Sequence, residues 1–211
     1  MQNPQNHKQP IYELQSGESL RLEKNNKPIE KLFLGLNWGA IQKKTRNFEE
    51  ITFEVDLDSC LTTFDKNGEV IETVFFNNLR SSDKAIEHYG DDVTGDIDGD
   101  DGLDNEIIKI ELEKIDDKVY SIFVYLVSAN SQDLGELPYV SIRLFEGQKN
   151  KIESVFAACK LAPNEDFNGN IAIIIGKFTK NKGFWEFEVI GEPMFATETG
   201  EAVEYIKENF L

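Results

Sequence analysis

The sequence predicts a mainly β protein, an antiparallel β-sandwich that ends in a C-terminal α-helix. About ten segments alternate apolar and polar residues, and turn signals separate them about every dozen residues. A helical pattern is clear only at the C-terminus. With 211 residues, 40% hydrophobic and 11% aromatic, the chain is long enough to bury the core of one domain.

The N-terminal third begins with a polar segment and continues with short strands. We expect residues 1–10 to be a flexible tail and 11–211 to be a single domain. The segment IYELQSGESLRLEK predicts two short strands around a Ser-Gly-Glu turn. KLFLGLNWGA is a nearly continuous apolar run, typical of a strand covered on both faces, and KKTRN after it is interpreted as a loop.

The clearest strand pattern is FEEITFEVDLDSCLTTFD, from Phe48 to Asp65. One face of the predicted strand carries Ile51, Phe53, Val55 and Leu57, and the other carries Thr52, Glu54, Asp56 and Asp58. DKNG is a turn signal, and EVIETVFFNN is the predicted return strand.

The second half of the chain continues the alternation typical of strands, and its last segment has the spacing typical of a helix. The predicted strands are EIIKIELEKI, the central VYSIFVYLVSA, YVSIRLFEG, KIESVFAACKL, IAIIIGKFTK and FWEFEVIGEPMF. TETGEAVEYIKENFL then predicts a helix that Thr197 or Thr199 caps. Its apolar side consists of Ala202, Val203, Ile206 and Phe210.

Charge and cysteine content narrow the function classes. The net charge of −17 disfavours nucleic acid and stable association with anionic membranes, and it favours cations. Residues 1–48 hold eight Lys and Arg against four Glu, which we interpret as an ordinary mixed surface, with a basic patch near the N-terminus as the alternative. Cys60 and Cys159 are predicted to be buried free thiols. The chain shows no apolar signal core or membrane-length segment, so we expect a cytoplasmic protein.

The segment GDDVTGDIDGDDGLDNE, residues 90–106, holds eight acidic side chains and no Lys or Arg. Calcium takes six to eight oxygen ligands in flexible geometry, and the spacing of Asp96, Asp98 and Asp100 suits it. The interleaved glycines allow the loop to curl. Magnesium keeps more of its waters and suits the stretch less well, and zinc would need Cys or His ligands.

The acidic stretch does not fit an EF-hand. With Asp96 at position 1, position 6 should be Gly but is Asp101, and position 12 should be Glu but is Ile107. The flanking segments are also predicted strands, where an EF-hand requires helices.

Two further acids complete the predicted site. Asp56 and Asp58 are two residues apart on one strand face, about 7 Å from each other. We expect the acids of 91–106 to leave and re-enter that same sheet, which would form a cage for one or two calcium ions. The alternative is a solvated acidic loop with Asp56 and Asp58 facing water.

The order of several motifs resembles the TerD family of tellurium-resistance and stress-response proteins. The motifs are LFLGLNW, VDLDSCLTTFDKNGEV, FFNN, EHYGDDVTGDIDGDDGLDNEIIKIEL, YVSIRLFEG and IIIGKFTKNKGFWEFEVIG. The resemblance implies a cytoplasmic β-sandwich that binds calcium and has no established catalytic activity. The acids that match the family motif are Asp56, Asp58, Asp91, Asp92, Asp100, Asp101 and Glu106. GLDN separates Asp101 from the last acid, so either Asp104 or Glu106 is the ligand there.

With Asp96 and Asp98 added, these residues form the predicted metal site. The favoured function is a calcium-dependent interaction module that works with other stress-response proteins. The alternative is a metal-dependent hydrolase or nucleotide-processing enzyme. His88 is the one candidate base, interpreted as a surface or loop-packing residue because no nucleophile motif adjoins it. Asn77 and Asn78 either lend a carbonyl to the metal or form a turn.

A calcium-dependent membrane binder with C2-like architecture is a third class. It would require exposed aromatic or basic residues beside the calcium loops. The segment 81–106 contributes only Lys84, His88 and Tyr89, after Arg80.

Overall fold

The computed structural model describes residues 10–161 and 165–211, so most of the predicted tail lies outside the described residues. The strands are β1 (Tyr12–Glu13), β2 (Ser19–Arg21), β3 (Glu23–Lys24), β4 (Lys27–Pro28), β5 (Lys31–Trp38), β6 (Ile41–Lys44), β7 (Glu50–Phe53), β8 (Leu57–Phe64), β9 (Val70–Val74), β10 (Ile86–His88), β11 (Glu106–Glu111), β12 (Ser121–Ser128), β13 (Val140–Gln148), β14 (Lys151–Leu161), β15 (Ala172–Asn181) and β16 (Phe184–Met194). A single α-helix, α1, spans Thr199–Phe210 in this part of the chain.

Twelve of these strands form two six-stranded sheets. The first sheet has the order β1-β14-β13-β5-β11-β10, and the second has the order β2-β16-β15-β12-β8-β9. Neighbouring strands are antiparallel except for β1 and β14, which pair in parallel. The predicted fold class, an antiparallel β-sandwich with one C-terminal helix, is confirmed.

The core lies between the two sheets because the central strands turn apolar side chains inward. Leu34 and Leu36 of β5 share one buried cluster with Val124 and Leu126 of β12. As predicted, β5 is buried on both faces, since Phe33 packs with Phe145 on the outer side of the first sheet. The prediction of buried free cysteines is also confirmed for Cys60 and Cys159, and Trp38 and Trp185 are buried in the core.

Helix α1 covers the outer face of the second sheet. Ala202 and Ile206 pack with Phe123 and Tyr125 of β12 in a separate buried cluster. The predicted threonine cap is wrong, because Glu198 is the N-cap and its side chain makes no capping bond. Instead, the Glu201 carboxylate accepts hydrogen bonds from the backbone N and Oγ1 of Thr197, each at 2.7 Å.

The segment between β5 and β8 differs from the prediction. The two lysines of KKTRN lie on β6, which pairs with β7 as a separate two-stranded hairpin. The predicted strand from Phe48 to Asp65 is in fact two strands, β7 and β8. The chain changes partners between them: Val55 N donates to Thr94 O at 2.9 Å, and Asp56 O accepts from Ala129 N at 3.0 Å. Ile51 and Phe53 are therefore exposed, although their alternation predicted one continuous face.

The prediction that the acidic stretch leaves and re-enters the sheet that carries Asp58 is wrong. The acidic stretch leaves β10 and enters β11, both in the first sheet, whereas Asp58 lies on β8 in the second sheet. The two groups of acids meet because β8 and β11 both begin at the same end of the sandwich. Within the described residues, no helix is long and apolar enough to cross a membrane.

Candidate metal site

Three carboxylates converge at this end of the sandwich. Asp56 directly precedes β8, Asp58 is its second residue, and Asp91 lies just after β10. One carboxylate oxygen from each residue falls within 4.8 Å of the others. Asp56 and Asp58 are half-buried, and Asp91 is exposed, so the group opens to solvent on one side. The site therefore joins the two sheets.

The electrostatics of this cluster are unfavourable without a cation. Burial, and then repulsion from Asp56, Asp91 and Glu106, raises the pKa of Asp58 to about 7, and His88 offsets only part of this. The pKa of Asp56 is also raised, first by burial and then by Asp91. Asp56 Oδ1 is buried and has no hydrogen-bond partner in the structure. A bound cation would compensate all three acids at once.

Glu106 lies on the buried side of the cluster. Its side chain is fully buried. Its Oε2 accepts a hydrogen bond from Ser59 N at 3.1 Å, and its Oε1 accepts one from Asp92 N at 3.4 Å. Glu106 thus ties the start of the acidic stretch to β8. Its charge also raises the pKa of both Asp56 and Asp58, so it is the acid after GLDN that reaches the cluster.

Asp104 has a different role. Its Oδ1 pairs with Nε of Arg143 at 2.7 Å, and only 4% of the side chain is exposed. Burial raises its pKa to about 6 against the opposing effect of Arg143. Gly35 is required beneath it, because a Cβ there would lie 2.3 Å from Asp104 Cγ. Asp104 therefore anchors the acidic loop to the outer face of the first sheet.

Three other loop acids, Asp92, Asp100 and Asp101, accept hydrogen bonds from nearby donors. Asp92 Oδ1 accepts from Thr94 N and Gly95 N, at 2.9 and 2.8 Å. Asp100 and Asp101 accept from the backbone N of the second residue after each, both at 2.8 Å. These bonds shape the loop into successive tight turns.

Asp96 lies at the floor of the same loop. It accepts hydrogen bonds from the Tyr139 hydroxyl and from Asn105 Nδ2. The cleft above it has a volume of about 370 Å³ and is lined by Asp96, Asp98, Asp101 and Asn105, among others. The nine predicted ligands thus divide into one open three-carboxylate cluster, its support Glu106, four hydrogen-bonded loop acids, and Asp98, which lines the cleft.

Comparison with known proteins identifies the family of this chain. The TerD domain model matches residues 11–200. The chain belongs to the TerD family. It is 28% identical over 186 residues to tellurium resistance protein TerD of Serratia marcescens, covering 85% of this chain and 88% of the relative. It is also 28% identical over 185 residues to general stress protein 16U of Bacillus subtilis (strain 168), covering 84% and 88%.

A crystal structure of a TerD homologue from Streptomyces coelicolor A3(2) has the same fold. The TM-score is 0.57 at 18% identity, with 80% of this chain and 91% of the homologue covered. The family resemblance inferred from the acidic motifs is therefore confirmed over nearly the whole TerD domain.

One contact in this TerD domain was not expected from sequence. His88 is buried rather than at the surface, and its Nε2 lies 2.9 Å from Ser59 Oγ and 3.3 Å from Glu106 Oε2. A hydrolytic triad places the serine and the acid on opposite ring nitrogens. Here both lie on Nε2, while Nδ1 accepts from Gly90 N at 3.2 Å. The arrangement is a buried hydrogen-bond network.

Other partners of the acids were also missed, since they are distant in sequence. Ser59, Tyr139 and Arg143 contact the acids only through tertiary packing, and no local motif marks them. Asn78 takes the turn role, because its backbone exchanges two hydrogen bonds with that of Phe75.

Proposed function

We propose that this TerD-family protein binds calcium through Asp56, Asp58 and Asp91 and acts as a calcium-dependent interaction module in a stress response. The observation that supports the proposal is the convergence of three carboxylate oxygens within 4.8 Å. No donor from the described residues bonds to these side chains, and a bound cation would relieve their mutual repulsion.

The donor set favours calcium over other cations. All three ligands are carboxylates, and the solvent-facing side leaves room for water, which suits a cation with six to eight oxygen ligands. Magnesium demands nearly ideal octahedral geometry, and zinc prefers nitrogen and sulfur. Asp92, Asp96, Asp98, Asp100, Asp101 and Glu106 stay predicted ligands, and a second ion would occupy the cleft above Asp96.

The non-enzymatic part of the proposal rests on the site chemistry. Among the described residues, the imidazole near the acids is that of His88, which is buried and already engaged with Ser59 and Glu106. The relatives' names, tellurium resistance and general stress protein, point to a protective role, and we extend it to this chain. We expect other stress-response proteins as partners, no nucleic acid, and a cytoplasmic location.

Calorimetric titration of the chelator-treated protein with calcium tests the proposal. We expect saturable binding by the wild type, loss of most of the affinity in Asp56→Asn, and unchanged binding in Asp117→Asn. Asp117 is a matched control because its side chain is 99% exposed and pairs with Lys180, away from the site. Absence of heat in the wild type, or equal binding by Asp56→Asn, would refute calcium binding at this cluster.

A further inference from the structure

A second cavity lies on the outer face of the first sheet, beside the acidic loop. Its volume is about 210 Å³, several times the ~30 Å³ share of one liquid water molecule, so it suits a small ligand. Residues of β5, β13 and β14 line one side of it, and residues 100–104 of the acidic loop line another. Asp56, Asp58 and Asp91 do not line it, so the cavity is separate from the proposed calcium cluster.

The sheet side of this cavity carries three polar residues in a row across neighbouring strands. Ser141 of β13 is paired with Asn37 of β5 on one side and with Lys160 of β14 on the other. Side chains at directly opposed positions lie on the same face of a sheet. Farther along the same face, Phe33 and Phe145 belong to an apolar cluster. The outer face therefore changes from apolar to polar where the cavity lies.

Asn37 holds a buried acceptor that the described residues do not satisfy. Only 6% of Asn37 is exposed. Its Nδ2 donates to Asp100 Oδ1 at 3.3 Å, so the nitrogen of the amide faces the acid and the oxygen lies on the other branch. This Oδ1 is buried and has no hydrogen-bond partner in the structure. A buried polar atom without a partner is costly, and a donor from a bound molecule would remove that cost.

The cavity offers three further groups with unused bonding capacity. The Ser141 hydroxyl makes no hydrogen bond, and the exposed Lys160 ammonium makes no ion pair, with the described residues. The bonds that Asp100 accepts from Gly102 N, at 2.8 Å, and from Asn37 Nδ2 both go to Oδ1, which leaves Oδ2 open. Two acceptors and two donors are therefore available to a ligand.

The charges that line the cavity favour a ligand with both signs. In the described part of the chain the lining holds two acids and two bases. Asp104 and Arg143 pair with each other at 2.7 Å, which leaves the Asp100 carboxylate and the Lys160 ammonium. Lys160 would repel a simple cation, and Asp100 would repel a simple anion. A molecule that carries an ammonium and a carboxylate is attracted by both residues.

We propose that this cavity binds a small zwitterion, an α-amino acid with a short side chain. The ligand ammonium donates to Asp100 and to Asn37 Oδ1, and the ligand carboxylate accepts from Ser141 and Lys160. Leu103 also lines the cavity and supplies an apolar contact for the short side chain. This binding activity goes beyond the proposed calcium function and does not depend on it.

Calorimetric titration of the whole chain with L-alanine tests the proposal, with EGTA present so that no calcium competes for Asp100. We expect saturable binding by the wild type. Lys160→Met should weaken it at least about tenfold, and Lys160→Arg, which keeps the charge, should retain most of the affinity. Lys151→Met is the matched control and should bind like the wild type. Lys151 begins the same strand, about 30 Å away, and does not line the cavity.

Two half-ligands test the charge argument. Propionate lacks the ammonium of alanine and ethylamine lacks its carboxylate, so each should bind at least about tenfold more weakly. Either half-ligand binding as tightly as alanine would overturn the zwitterion assignment. Absence of saturable binding of alanine, unchanged affinity in Lys160→Met, or an equal loss in Lys151→Met would overturn the site. A wild type that binds calcium but not alanine would refute this proposal alone, and the converse would refute only the calcium function.

Discussion

Asp91 and Asp92 are adjacent in the chain, but their carboxylates have different partners. Asp91 faces Asp56 and Asp58, and no donor from the described residues bonds to any of the three side chains. Asp92 turns back and accepts hydrogen bonds from Thr94 N and Gly95 N. The carboxylate of Asp91 therefore belongs to an open cluster of like charges, whereas the carboxylate of Asp92 stabilises a local turn.

The difference extends along the loop. Asp96, Asp100, Asp101 and Asp104 each have a donor or a cation supplied by the protein. Sequence spacing alone does not distinguish an open carboxylate from one that is already bonded. The spacing does not reveal which carboxylates receive a hydrogen bond or a cation from the folded protein. The open cluster should therefore govern the response to calcium, and the bonded loop should govern stability without it.

The largest expected effect comes from the bonded loop. Arg143→Ala leaves Asp104 buried without its cation, so we expect a loss of about 3 kcal/mol in the free energy of unfolding. Urea denaturation should show the same loss with and without calcium. Lys177→Ala, which breaks the more exposed pair with Glu188, should cost less than about 1 kcal/mol. A loss seen only in calcium would assign Arg143 to the ion site.

The next largest effect is the calcium-induced rise in melting temperature, which distinguishes the open carboxylate cluster from the hydrogen-bonded loop. A ligand at about 100 times its dissociation constant adds about 2.7 kcal/mol, which corresponds to a rise in melting temperature of about 5–10 °C here. Asp58→Asn should abolish this calcium-induced rise. Asp101→Asn should retain the part of the rise that the ion at Asp56, Asp58 and Asp91 contributes, because Asn also accepts the hydrogen bond from Leu103 N and keeps the loop folded. Loss of the rise in both variants would extend the ion site into the loop and remove the distinction.

Much of this picture could be predicted from sequence. The DLD and acidic motifs indicated which residues meet, and period-two alternation indicated the sandwich. The division of the strand pattern at Glu54 was not predictable, because Ile51 and Phe53 have the same local alternation as the core residues that follow. The anchoring of Asp104 was also hidden, since Arg143 lies 39 positions away and contacts it only in the folded chain.

A smaller effect concerns pH. The pKa of Asp58 is raised from 3.8 to about 7, so its protonated form is favoured in the native state. This contribution to stability is fully present below the unfolded value and is lost as pH rises through about 7. The calcium-free melting temperature should therefore fall by a few degrees between pH 5 and pH 8. Asp58→Asn should flatten that fall, and an unchanged slope in this variant would contradict the assignment.

The smallest expected effect is the loss of stability on substitution of Asp92. Asp92→Ala removes the turn bonds to Thr94 and Gly95 and should cost about 1 kcal/mol in chemical denaturation. Asp92→Asn should be nearly neutral in stability, because its side-chain oxygen accepts the same bonds. Loss of calcium affinity in Asp92→Asn would instead show that the negative charge of Asp92 matters for the ion.

The three clustered carboxylates come from segments of both sheets, and this affects the rate of unfolding. Asp58 lies on β8 of the second sheet, Asp56 directly precedes that strand, and Asp91 belongs to the segment that links two strands of the first sheet. An ion bound to all three must be released before the sheets separate at that end. If this contact forms after the folding transition state, calcium slows unfolding and leaves the folding rate almost unchanged. Calcium would then set the lifetime of the native state as well as its stability.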